Sequence, residues 1–116
     1  MNPEVVWLTY ASAWTAVSPT ERRERLSRSV SEQCIYTDPI TRCDGHDALL
    51  HYIEQFQAET PGGSFHTDEF TEHHSQGLIR WRRMDGRSRA IGHGASYVRF
   101  GDDQRLTHMS GFFPTG

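Results

Sequence analysis

One carboxylate stands out among the residues able to do chemistry in this chain. Asp38 is followed by Pro39 and closes the short apolar run Cys34-Ile35-Tyr36-Thr37. If that run is a buried strand, its terminal aspartate points into an apolar hollow, where desolvation disfavours charge and makes a carboxylate a usable proton acceptor. The plainer alternative is local, because Asp-Pro pairs often close a strand and open a turn, with the carboxylate accepting backbone hydrogen bonds.

The histidines are the next candidates. His66, His73, His74, His93 and His108 all fall in strand-like segments. Neighbours on a strand point to opposite faces, so His73 and His74 cannot both reach one ion from a regular strand. No His-x-His or His-x-x-x-His pair is present, so no metal site is expected. One of His73 and His74 is expected to face inward. Histidine titrates near neutrality, so an inward one would share acid-base work with Asp38, unless it is simply a hydrogen-bonded structural group. Cys34 sits in an apolar strand with no cation beside it and reads as an inert thiol. Cys43 lies in the loop after Asp38, where it would border a pocket.

These side chains need elements to hold them. Val6, Tyr10, Ala13, Trp14 and Val17 recur at spacings of three and four, which predicts a helix over 3–17. Ser18-Pro19-Thr20-Glu21 has the form of a capping box, with Ser18 accepting at the third helical position and Glu21 reaching back. A second helix is expected from about Pro19 to Val30, touching the core through Leu26 and Val30. A third follows Gly45, with Leu49, Leu50, Ile53 and Phe56 as its buried stripe and Pro61-Gly62-Gly63 as its stop. Beyond it the pattern is strand: 64–74, 76–84, 90–100 and 105–113, separated by Ser75-Gln76, Asp85-Gly86 and Gly101-Asp102-Asp103. Three helices followed by antiparallel strands make an α+β fold, with the helices on one face of a bent sheet.

The 116 residues allow one domain, 1–116, with a single core and one pocket. No apolar run is long enough to span a membrane, and no secretory signal is visible. Two cysteines without CxxC spacing suit a reducing cytoplasm better than a disulfide scaffold. The formal charge is −3, and the basic cluster Arg22, Arg23 and Arg25 lies beside Glu21 and Glu24 as a solvated face. Nucleic acid is therefore not an expected partner.

The order of these elements resembles the family of nuclear transport factor 2, ketosteroid isomerase and the SnoaL-like polyketide cyclases. The resemblance rests on Tyr36-Thr37-Asp38-Pro39, the segment Gly45 to Phe56, His73-His74 with Trp81 beyond, Gly94-Ala95-Ser96, and Gly111-Phe112-Phe113. It implies an NTF2-like cone in which a strongly curved sheet wraps the helices around a pocket, and a homodimer through the outer sheet face. Ketosteroid isomerase works with an aspartate base and an oxyanion hole of one tyrosine and one protonated aspartic acid. By resemblance the base is Asp38 and the tyrosine is Tyr10, with Trp14 one turn on along the same face. The protonated acid falls where this chain has Ser96, a weaker donor toward an enolate.

The function this implies is proton transfer α to a carbonyl, in an isomerase or cyclase acting on an apolar small molecule. Asp38, Tyr10, Ser96 and His73 are the candidate catalytic residues. Trp14, Phe56, Trp81, Met109 and Phe113 are expected to shape the ligand cavity. Such chemistry requires neither a metal nor an organic cofactor. The alternatives are a non-catalytic module that binds an apolar ligand or pairs with a second copy, and a hydrolase or dehydratase using Asp38 with His73 or His74.

Overall fold

Two asparagine- and serine-capped prolines start the chain's first two helices. In the computed structural model, which describes residues 2–115, Asn2 accepts from the Val5 amide at 2.8 Å and α1 runs Pro3–Ser12. Ser18 accepts from the Glu21 amide at 3.1 Å and α2 runs Pro19–Ser29. Glu21 does not reach back to its cap as a full capping box requires; its carboxylate takes Arg25 at 2.6 Å instead.

The first helix is shorter than its periodicity predicts. Ala13 caps it, and the chain then turns through Trp14, Thr15 and Val17. A buried arginine accounts for this. The Arg22 guanidinium donates to the Ala13, Thr15 and Val17 carbonyls at 2.9, 2.9 and 3.2 Å, and Arg25 donates to the Ser12 carbonyl at 3.0 Å. Carbonyls that a continuing helix would use internally are satisfied by side chains, so the helix can stop here. Gln57 fixes the same turn from the other side, donating to the Trp14 carbonyl at 2.6 Å.

The strands are β1 Val30–Asp38, β2 Thr41–Asp44, β3 Ser64–His73, β4 Gln76–Met84, β5 Ala90–Phe100 and β6 Leu106–Phe112, with α3 His46–Glu59 between β2 and β3. They form one sheet in the order β2-β1-β6-β5-β4-β3. All neighbours are antiparallel except β1 and β6, which run parallel and which the strand pattern alone does not pair. The β1–β2 hairpin is likewise absent from the sequence reading. It turns on Pro39-Ile40 and pairs Asp38 with Thr41. Gly45 begins α3 at φ +85°, a backbone conformation that glycine alone adopts without strain. Leu26, Val30, Leu49, Ile53, Ile79, Val98 and Leu106 are fully buried and join the helices to the concave face of the sheet. Among the described residues, no helix is long and apolar enough to cross a membrane.

Candidate functional site

At one end of the cone the core stops short of being filled. A cavity of about 580 Å³ opens there, walled by aromatic rings. Trp14 is the hub of this wall. Its ring centroid lies 5.2 Å from Phe65, 5.6 Å from Phe56, 5.8 Å from Tyr52 and 6.3 Å from Tyr36. Phe65 continues to Trp81 at 5.1 Å, and Trp81 to Phe113 at 6.4 Å. Close approach of Trp81 to β5 depends on Gly94, where an added Cβ would stand 2.6 Å from the indole ring.

Asp38 lines this cavity, and both readings of its role hold at once. Its Oδ1 accepts from the Ile40 and Thr41 amides at 3.0 and 3.1 Å, which is the local turn. Its Oδ2 faces the phenols of Tyr36 and Tyr52, which donate at 2.7 and 2.6 Å. Four donors meet a group with about four lone-pair sites, so the carboxylate is fully occupied. Alternation along β1 puts Tyr36 on the same side as Asp38, while Tyr52 comes from α3.

The phenols are held protonated. Burial is the main cause pushing Tyr36 above its ordinary range, with the nearby Tyr10 and Asp38 adding to it. Burial and then the hydrogen bond to Asp38 push Tyr52 up. Tyr10 is also driven up by burial, partly offset by a hydrogen bond from the Trp14 side chain. All three therefore remain O–H donors throughout the neutral range.

Ser96 is buried on β5, and its hydroxyl oxygen accepts the Trp81 indole N–H at 3.0 Å. With that acceptance made, the Ser96 proton is available to a group in the cavity. Tyr10, Ser96, Trp14, Phe56, Trp81 and Phe113 all line the cavity with Asp38.

Two expected residues do not. Met109 is buried in the core on the inward face of β6 and is not part of the cavity lining. His73 and His74 are both exposed at the far turn of β3 and β4, with Nδ1 atoms 3.1 Å apart. That turn has only two residues, His74 and Ser75, at φ 49° and 60°. Such a turn matches the twist of a hairpin. It carries both imidazoles away from the cavity, and the water-activating alternative loses its histidine. His93 borders the cavity mouth, but alternation on β5 puts its side chain on the face opposite Ser96.

Sequence reasoning missed Tyr36 and Tyr52 as site residues. Tyr52 lies three residues after Leu49 and four before Phe56, so it belongs to the inward stripe of α3, one position around from Ile53. Phe65 and Trp7 were missed as lining residues as well. Trp7 donates its indole N–H to Thr67 at 2.9 Å. Among the described residues no three of His, Cys, Asp or Glu come together as a metal would need.

The SnoaL-like domain pattern matches residues 9–109. No curated protein matches the chain by sequence. Among solved structures, a SnoaL-like family protein from Agrobacterium tumefaciens superposes with a TM-score of 0.87 at 21% identity, covering 97% of each chain. An NTF2-like protein of unknown function from Cytophaga hutchinsonii gives 0.75 at 10%, covering 98% of this chain and 91% of the other. A protein with a ketosteroid isomerase-like fold from Catenulispora acidiphila, in complex with trimethylamine, gives 0.74 at 11%, covering 91% and 82%. At these identities the structural likeness establishes the cone and leaves the chemistry to the site itself.

Proposed function

The chain belongs to the SnoaL-like family, and on that premise we propose that it is a cofactor-independent enzyme moving a proton α to the carbonyl of an apolar small molecule, as an isomerase or cyclase does. The observation that carries this is the contact of Asp38 Oδ2 with two protonated phenols on the wall of an aromatic cavity.

The arrangement supports a swap of hydrogen bonds. A ketone enters with its α-carbon against Asp38, and one phenol turns its O–H from Oδ2 to the carbonyl oxygen. The freed lone pair on Oδ2 takes the α-proton as the phenol stabilises the developing enolate. Base and donor lie within 2.7 Å of each other, so one small reorientation supplies both halves of the step. Tyr10 and Ser96, on the same lining, are further donors for a second oxygen of the substrate. The aromatic wall keeps bulk water from the enolate. Deuterium exchange at the α-carbon of ketones, compared between wild type and Asp38→Asn, tests the reading.

A second reading is favoured by one specific observation. With all four acceptor positions of Asp38 taken, and a serine in place of the second acid, the same cavity suits a non-catalytic module that retains an apolar ligand. Tight retention without exchange would identify it.

Pairing of two copies through the outer face of the sheet is part of the proposal. Phe112 and Leu78 are 60% and 50% exposed there, beside half-buried Ala95 and Tyr97. The ladder sets Phe112 against Ala95 and Tyr97 against Leu78, which makes one continuous apolar patch. Two free buried thiols, Cys34 and Cys43, suit the cytoplasm as the compartment.

A further inference from the structure

Besides Asp38, the charged side chains bordering the cavity are Glu59 and Arg83, with His93 at its mouth. Arg83 is set apart from the other arginines of its strand. Alternation on β4 sends Arg80 and Arg82 to the outer face, where they pair with Glu69 at 3.4 Å and Asp68 at 2.8 Å. Arg83 follows Trp81 on the inner side and lines the cavity. Among the described residues its guanidinium has no carboxylate within ion-pair distance and makes no hydrogen bond, and Glu59 on α3 stays beyond that distance.

The neighbours of Arg83 leave it room. Across the sheet it faces Phe65 on β3 and Gly92 on β5. At Gly92 a Cβ would lie 3.4 Å from Nε and 3.7 Å from Nη2, so the fork lies over bare backbone. A chain of rings connects this cation to the carboxylate end. Tyr36, which holds Asp38, is 6.3 Å from Trp14, and Trp14 is 5.2 Å from Phe65, the partner of Arg83. The cavity wall therefore carries a proton acceptor, aromatic rings and a guanidinium without an ion-pair partner.

We infer that the ligand is an apolar ketone that also bears a carboxylate, and that Arg83 binds that carboxylate. A planar fork with two parallel N–H donors suits a carboxylate better than any other common group on a small organic molecule. Arg83 is solvent-exposed where it lines the cavity, and a carboxylate there gains a charge-assisted pair that a neutral ligand cannot make. The inference names the substrate class for the enzyme reading and rests on that reading for the word substrate; as a statement about ligand binding it stands on the geometry of Arg83.

The test is equilibrium binding, read by quenching of tryptophan fluorescence, of a tetralone carrying a carboxylate on its aromatic ring and of the methyl ester of the same compound. Wild type is expected to hold the acid several-fold tighter than the ester, as a charge-assisted pair at a solvent-exposed guanidinium allows. Arg83→Gln should bring that ratio close to one while leaving ester affinity unchanged, and Arg83→Lys should keep part of it. Arg82→Gln removes the same charge from the outer face and should leave the ratio as in wild type. Equal binding of acid and ester by wild type, binding of neither, or a ratio untouched by Arg83→Gln would overturn the inference. Because the readout is affinity, it separates from the catalytic reading. Exchange that is absent with a ratio that depends on Arg83 refutes the enzyme alone; exchange that depends on Asp38 with a ratio indifferent to Arg83 refutes the carboxylate alone.

Discussion

Tyr52 donates its phenol to Asp38 Oδ2 at 2.6 Å and so joins α3 to the end of β1 across fourteen positions of sequence. Tyr36 meets the same oxygen from within the strand. The proposed chemistry needs these two bonds to be exchangeable, and the cavity wall needs them to hold Asp38 in place.

Removing the phenols should therefore affect rate more than fold. Tyr36→Phe and Tyr52→Phe each keep the ring and lose one hydrogen bond, a stability cost of about 1 kcal/mol. Removal of both donors should slow α-proton exchange by about a hundredfold, the effect typical of losing an oxyanion donor. Either single variant should fall less, because the remaining phenol still serves. Exchange rates and denaturant melts on the three variants check this.

Alkaline pH should destabilise the protein in two stages. Burial pushes the Cys34 thiol from its ordinary 9.0 up to about 12, and raises Cys43 as well. Tyr10, Tyr36 and Tyr52 lie above their ordinary 10.0. Above those ordinary values the unfolded chain has released protons that the native state still holds, so stability falls as pH rises. The contribution is fully present below pH 9.0 and is lost first through the thiols, then from 10.0 through the phenols. Melting temperature against pH should show this decline, and Cys34→Ala should remove much of its earlier part. The tyrosinate absorbance of Tyr10, Tyr36 and Tyr52 should appear only with loss of the native circular dichroism.

Arg22 should be needed for the cavity as well as for stability. It is 5% exposed and holds three carbonyls of the turn that carries Trp14. Arg22→Met keeps most of the side-chain volume but leaves those carbonyls without donors, a loss of roughly 2–4 kcal/mol. Ligand affinity should fall with it, because Trp14 touches five other rings of the wall. Urea denaturation and fluorescence binding on one sample set measure both effects.

Much of this was legible in the chain. The strands β3 to β6 are bounded by Pro61-Gly62-Gly63, Asp85-Gly86 and Gly101-Asp102-Asp103, strong punctuation that leaves little freedom in where they start and end. The stripe Leu49, Leu50, Ile53 placed α3 for the same reason. What was not legible depends on contacts between distant segments. Carbonyls gathered by Arg22 end α1 five residues before its apolar spacing does, and that cause lies on another helix. The inward face of Met109 follows from its strand, but whether a cavity or other side chains lie beyond it does not. His73 and His74 were assigned as though on a regular strand, when the second of them already occupies the turn. Tyr36 and Tyr52 became partners of Asp38 only when β1 packed under α3.

Association of two copies should depend on the exposed patch of β4, β5 and β6. Phe112→Glu and Leu78→Arg should each convert the proposed dimer to a monomer in light scattering, with unchanged melting of the isolated fold. A monomeric wild type at micromolar concentration would leave the patch without the partner assigned to it.

The most direct test of the central claim is α-proton exchange followed by NMR in deuterated buffer, over a panel of cyclic and aryl ketones, with wild type and Asp38→Asn. Asparagine keeps an oxygen for the Ile40 and Thr41 amides, so the turn should hold. Its amide nitrogen faces the two phenols, at a stability cost of roughly 1–3 kcal/mol that a denaturant melt reads separately. The account predicts exchange well above the buffer rate with wild type and its disappearance in the variant. Equal exchange by both proteins, or none by wild type across the panel, would contradict it.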